Sequence, residues 1–209
     1  NIRLQFILDI VAMTFGQPLA LFPAIGVLIL GGGPITVGVL TASIAIGALL
    51  SSLFSGRIGT VRRQGVGIER AIMAYGVFIG LFGAVLLVAA LGWMSPGGVS
   101  ETQPNLPLIA IACVFLAAAG AADNISSIFR NTMMQAAVPD DVRGRLQGIF
   151  VVVITGGPRL GALYAGVLSS IAALWFPPLL GGIAIVGLCA LLVRLNPRFR
   201  QYDALEPVP

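Results

Sequence analysis

The sequence has no histidine, and all 12 of its basic residues are arginine. Without histidine there is no Ser–His or Cys–His nucleophile pair, and most zinc chemistry loses a principal ligand. Cysteine is nearly missing too. Cys113 and Cys189 stand far apart, each inside an apolar run, with no spacing for a disulfide framework or a metal site. They read as small buried hydrophobes. Charge is the third scarcity: charged residues make up 10% of the 209, against about 25% in an ordinary soluble domain. These absences argue against an enzyme, a bound metal and a resident cofactor. Nor is there a basic–aromatic stripe of the kind that binds nucleic acid.

What fills the chain instead is apolar. Hydrophobic residues are 57% of it, and the mean hydropathy is +1.00. A hydrocarbon core of ~30 Å takes ~20 mostly apolar residues per helix. Six stretches meet that requirement: 4–30, 35–56, 71–93, 106–129, 146–171 and 174–193. The expected fold is all-α and integral to the membrane, with six transmembrane helices, and the lipid bilayer is its first partner.

The arginines alternate with the helices. Arg3 precedes the first. Arg57, Arg62, Arg63 and Arg70 fall between the second and third, and Arg130, Arg143 and Arg145 between the fourth and fifth. Arg194, Arg198 and Arg200 follow the sixth, and the three remaining loops have none. By the positive-inside rule both ends of this segment face the cytoplasm. Residues 95–105 then form the outer loop, and Trp93 and Trp175 sit at the outer interface. The chain starts at Asn1 without a signal-peptide layout and reads as a piece of a longer protein. The tail, 201–209, is expected to be disordered.

Four polar features interrupt the apolar spans. In the first helix Pro18 and Pro23 remove backbone hydrogen bonds beside Gly16 and Gln17 and so kink it. Asp9 lies ~8 Å into the same helix, where it either snorkels to the interface or carries a proton or substrate contact. Asp123 is followed by Asn124, Ser126 and Ser127, a polar patch on one turn of the fourth helix. Hydrocarbon disfavours a carboxylate's charge and a nearby arginine favours it, so an aspartate between the two can load and release a proton. Arg159 lies ~21 Å beyond Arg145, near mid-membrane. A guanidinium stays charged there, so it must pair with an acid, bind an anion or face water. Asp9 and Asp123 are the proton candidates; Arg159, Gln17 and Asn124 are the substrate or ion-pair candidates. The third and sixth helices carry no internal charge, which sets them at the periphery and turns the first, fourth and fifth toward a polar interior. Gly76, Gly80 and Gly83 suit close helix packing.

Between the fourth and fifth helices, Pro139 ends one element, Asp140 or Asp141 caps the next, and Arg143 and Arg145 anchor it in headgroups. Together with Thr132–Gln135 and Gly148, this stretch resembles the loop between helices ten and eleven of the major facilitator superfamily. The nearest likeness is to the enterobactin (siderophore) exporter-type and transmembrane secretion effector group. Leu21–Ala24, Val37–Leu40, Gly47–Leu49, Ser55–Gly56 and Gly156–Gly161 add to the likeness, which runs from about Leu4 to Arg200. It implies that the chain is the C-terminal six-helix half, built as inverted 3+3 repeats, of a twelve-helix transporter whose N-terminal half is missing here. It further implies a bacterial inner-membrane protein that exports a siderophore, drug or similar small amphipathic metabolite by alternating access, driven by protons. Helices one, two, four and five would line the cavity. The segment from Gly56 to Gly65 occupies the place of the family's second signature loop but departs from it, because Thr60 stands where the aspartate of a gating salt bridge falls; the cytoplasmic gating or loop candidates are Arg62, Arg63, Asp140, Arg143 and Arg145. Gly157–Pro158 with Gly161 resembles a degenerate antiporter motif, to which Arg159 does not belong. Three other readings compete: a non-transporting six-helix scaffold or assembly protein, an intramembrane enzyme built on aspartates, and a six-helix transporter that works as a dimer.

Overall fold

The computed structural model describes residues 2–56, 61–92, 103–137 and 140–201; at 2, 136, 137, 140–143, 198 and 201 it describes the backbone alone. Trp93, residues 95–102 of the outer loop, residues 57–60 of the signature-like loop, Pro139 and tail residues 202–209 lie outside the described residues. Among those described, every regular element is helical. Six of the helical spans are long and apolar enough to cross a membrane: Arg3–Leu28, Gly33–Ser52, Gln64–Ala90, Leu106–Gln135, Gly144–Ile171 and Phe176–Leu195. This is the make-up of a multi-pass membrane protein, and it is consistent with half of a twelve-helix transporter.

The first span is broken, not merely bent. Helix α1 (Ile2–Phe15) stops before Gly16, a 3₁₀ turn covers Pro18–Leu21, and α2 (Phe22–Leu28) resumes. Pro18 has no N–H to give and its ring crowds the preceding turn, and here the helix breaks before it. Gly31, Gly32 and Gly33 then take φ of 75°, 78° and 52°, a left-handed path open to glycine. They deliver the chain into α3 (Gly33–Ser52). The Thr36 hydroxyl donates to the Gly31 carbonyl at 2.6 Å and fixes the turn. Next come α4 (Gln64–Ala90), α5 (Leu106–Ala137), α6 (Asp140–Ile171, with Pro158 inside it) and α7 (Phe176–Leu195), closed by a 3₁₀ turn at Pro197–Gln201. Asn105 starts α5: its side-chain oxygen accepts from the Leu108 N–H at 3.1 Å, and its own N–H reaches the Leu30 carbonyl at 2.8 Å.

Close approach at small residues sets the packing. Helix α3 lies on α5 where Gly47 meets the Ala117 backbone and Gly120 meets Ile44. Helix α4 lies between α5 and α7, and Gly76 and Gly80 face Gly182. In a bilayer, contact of this kind replaces the hydrophobic drive that holds soluble helices together. Helix α6 packs mainly on α1.

The third span holds Glu69, which by hydropathy alone falls in the loop before it. This span, read as peripheral, is the most enclosed of the six: 50% of it is buried within the unit, against 28% of the second and 22% of the fifth. The uncharged stretch from Ala71 onward suits a helix wrapped by apolar neighbours as well as one facing lipid. Glu69 is buried and accepts two bonds from the Arg200 guanidinium, one at 2.7 Å. Phe199 is buried beside it, so the segment after α7 is strapped to the start of α4.

Candidate functional site

Helix α5 does not end at Arg130, where the sequence reading put the turn. Nothing between Arg130 and Pro139 breaks a helix, and α5 runs on to Ala137. Arg130 is therefore an intrahelical residue, 4% exposed. Asp123 precedes it by seven residues, or two turns, so both project from one face of α5. That face meets α1 at Asp9, itself 1% exposed.

The three side chains form one network. Arg130 Nη1 donates to Asp9 Oδ1 in a buried ion pair. Arg130 Nη2 stands 3.7 Å from Asp123 Oδ1. Ser126, between Asp123 and Arg130 on α5, is buried, and its hydroxyl has no partner among the described residues. A cation between two carboxylates leaves the group at net −1, and one added proton brings it to zero.

The two acids differ in access. The Asp9 side chain is sealed, whereas that of Asp123 is 34% exposed. Asp123 opens into a cavity of about 220 Å³ beside the break in the first span, which Gln17, Tyr75, Asn124 and Ser127 also line. The Tyr75 hydroxyl donates to the Gly16 carbonyl, an acceptor bared by the break. Helix termini leave such groups unpaired, and burying them without a partner is costly. Tyr75 therefore holds the first span broken at the cavity wall.

The remaining candidates are distributed as follows. Asn124 lines the cavity, but its amide is engaged: the two N–H groups are shared among Ser51 Oγ at 2.8 Å, Ser52 Oγ at 3.0 Å and the Ala48 carbonyl at 3.2 Å, fastening α5 to α3. Gln17 is half-buried at the break, with its amide nitrogen 3.5 Å from Met13 Sδ. Arg159 is exposed on α6 and joins no ion pair among the described residues; the cation beside Asp123 is Arg130. Arg62 and Arg63 are exposed just before α4, and Arg145 is exposed on α6. Asp140 and Arg143 lie in the first turn of α6, where only the backbone is described. Among the described residues no three His, Cys, Asp or Glu side chains converge to hold a metal ion.

Sequence reasoning missed Arg130 and Tyr75. For Arg130 the signal was available: an unbroken helical stretch up to Pro139 and a seven-residue spacing from Asp123. Tyr75 gave no such signal, because its partner is a backbone carbonyl 59 residues away.

No family model matches the sequence, and no solved structure matches it. Among curated proteins it is similar to the enterobactin exporter EntS of Shigella flexneri, 28% identical over 173 residues that cover 79% of this chain and 36% of that protein. The enterobactin exporter EntS of Escherichia coli O139:H28 and that of Shigella boydii serotype 18 match at the same 28% over 173 residues, or 35% of each. The chain thus spans about a third of the length of the curated relatives it matches.

Proposed function

We propose that this chain is one six-helix half of a secondary active transporter of the major facilitator type, and that it exports a siderophore, drug or other small amphipathic metabolite in exchange for protons. One observation carries the reading: two intramembrane aspartates share a single arginine, and only one of them opens to a cavity at a broken helix. Intramembrane charge is expensive and is kept where it works. Asp123 is the proton-exchanging group. A proton on it neutralises the network; its loss restores the net −1 beside the cavity. Asp9 is the fixed counter-charge that holds Arg130 across α1 and α5. Broken helices at a central site are the usual construction of secondary transporters, which rock two repeats around it.

The sparsely covered faces of α3 and α6 are where a second, N-terminal six-helix half would pack. Arg159, on α6, would then meet an acid of that half or an anionic group of the substrate. Export and the siderophore class come from the distant similarity to proteins named as enterobactin exporters. The expected setting is a bacterial inner membrane, with both ends of this segment on the cytoplasmic side. The test is transport by the full-length protein in everted vesicles under an imposed pH gradient, with iron-free siderophore and ethidium as trial substrates. Asp123→Asn should abolish gradient-driven movement while the protein still inserts. Undiminished movement would remove the proton role, and no movement of any substrate by the parent would return the chain to the scaffold reading.

A further inference from the structure

On the far side of α4 from the α7 contact, an apolar trough of about 500 Å³ runs between α4 and α5. Ala71, Ala74 and Phe78 line it from α4, and Ala118, Ala122 and Phe129 from α5. The spacings of three and four residues put each set on one helix face. The alanines keep the floor low, and the two phenylalanines stand toward opposite ends, because the helices run antiparallel. Twelve residues of α4, from Gly67 to Phe78, give the trough a length of ~16 Å. Arg70 stands at the Phe129 end and is the one charged side chain on the lining. It is exposed and pairs with no acid among the described residues, since its neighbour Glu69 is taken by Arg200.

We propose that this trough seats an acyl chain of an anionic phospholipid whose phosphate rests on Arg70. The charges are complementary, and a guanidinium matches phosphate in two parallel hydrogen bonds. Arg70 lies ~9 Å from the start of α4, a depth at which an arginine reaches up to headgroups along its own stem. Apart from Arg70 the trough has an apolar lining, as a hydrocarbon chain requires. It also lies apart from the open faces of α3 and α6, where further protein would pack.

The test uses the full-length protein reconstituted with Phe78→Trp as a reporter in the trough. Brominated phosphatidylglycerol is compared with brominated phosphatidylcholine as quencher, and the quenching of native tryptophans in the parent is subtracted. One arginine near a membrane surface implies half-quenching at an about fivefold lower mole fraction of the anionic lipid. Arg70→Gln should abolish that preference, leave quenching by phosphatidylcholine in place and keep the parent's circular dichroism. Arg70→Lys should keep most of the preference. Equal quenching by both lipids, or a preference that survives Arg70→Gln, overturns the proposal. So does the absence of quenching by either lipid, which would mean that protein covers the trough. If Phe78→Trp fails to fold, native mass spectrometry decides: the protein carrying the native Phe78 should retain one more phosphatidylglycerol than its Arg70→Gln variant, and equal numbers refute the site.

Discussion

Removing Asp9 and removing Arg130 should not cost the same. Breaking a buried ion pair from one side typically costs ~3–5 kcal/mol, because the other charge is left behind. Asp9→Asn leaves the Arg130 guanidinium with a second acid, Asp123, 3.7 Å away. Its cost therefore falls at or just below the bottom of that range, ~2–3 kcal/mol. Arg130→Gln leaves two carboxylates, one of them sealed, with no cation between them, which puts it at the high end, ~4–5 kcal/mol. The double substitution removes the pair and spares each member its orphaned partner, so the coupling energy should reach ~2 kcal/mol. Thermal unfolding in detergent, followed with a thiol-reactive dye on the free Cys113 and Cys189, reads all three. At ~2–4 °C per kcal/mol for a chain of this size, Asp9→Asn should lower the melting temperature by ~5–10 °C and Arg130→Gln by more. Two results would refute the reasoning: Arg130→Gln no more harmful than Asp9→Asn, or a double variant that loses the sum of the two.

Tyr75→Phe should destabilise by ~1–2 kcal/mol in the same assay, since it unpairs the Gly16 carbonyl without changing the packing of the ring. Gly182→Leu should prevent accumulation of folded protein, because any side chain there runs into the Gly80 and Gly76 backbone; membrane yield and dye-reported melting check this. Gly148→Ala, on an open face of α6, should change neither. Arg200 lies outside the spans, and the hydrogen bonds and charge of Glu69 hold its guanidinium protonated above its ordinary value. A base whose pKa is raised by folding lends its stability in full below the unfolded value and loses it only as pH climbs through the folded one. The melting deficit of Arg200→Gln should therefore be constant from pH 7 to pH 9; a deficit that shrinks over that range would contradict the pairing.

Much of the fold could be read in the chain because hydrocarbon imposes one rule, that backbone polar groups be satisfied within the element. An apolar run of ~20 residues then has one outcome. Breaks and extensions were harder. Pro18 and Pro23 announced a disturbance, but not that the first span would part into two helices with a 3₁₀ turn between. By sequence alone Arg130 reads as a loop residue, because arginine so often marks a membrane boundary. That rule fails where an acid on another helix takes the charge, and Asp9 is 121 residues away. The same blindness hid the Glu69–Arg200 pair, whose members are 131 residues apart.

These pairings sharpen the meaning of Arg159. Three acids have described side chains, Asp9, Glu69 and Asp123, and each stands beside an arginine of this same unit. Their charges are internally accounted for and locate contacts within the half. Arg159 has no such counterpart among the described residues, and it lies on the fifth span, the least covered of the six. An arginine kept ~18 Å from the end of α6 in apolar sequence must find its partner from outside this helical unit or stand in water. The network at Asp123 is thus complete among the described residues, whereas Arg159 has no partner among them. The two positions should separate experimentally: substitutions at Arg130 register in the stability of the unit, and those at Arg159 register in what the unit binds.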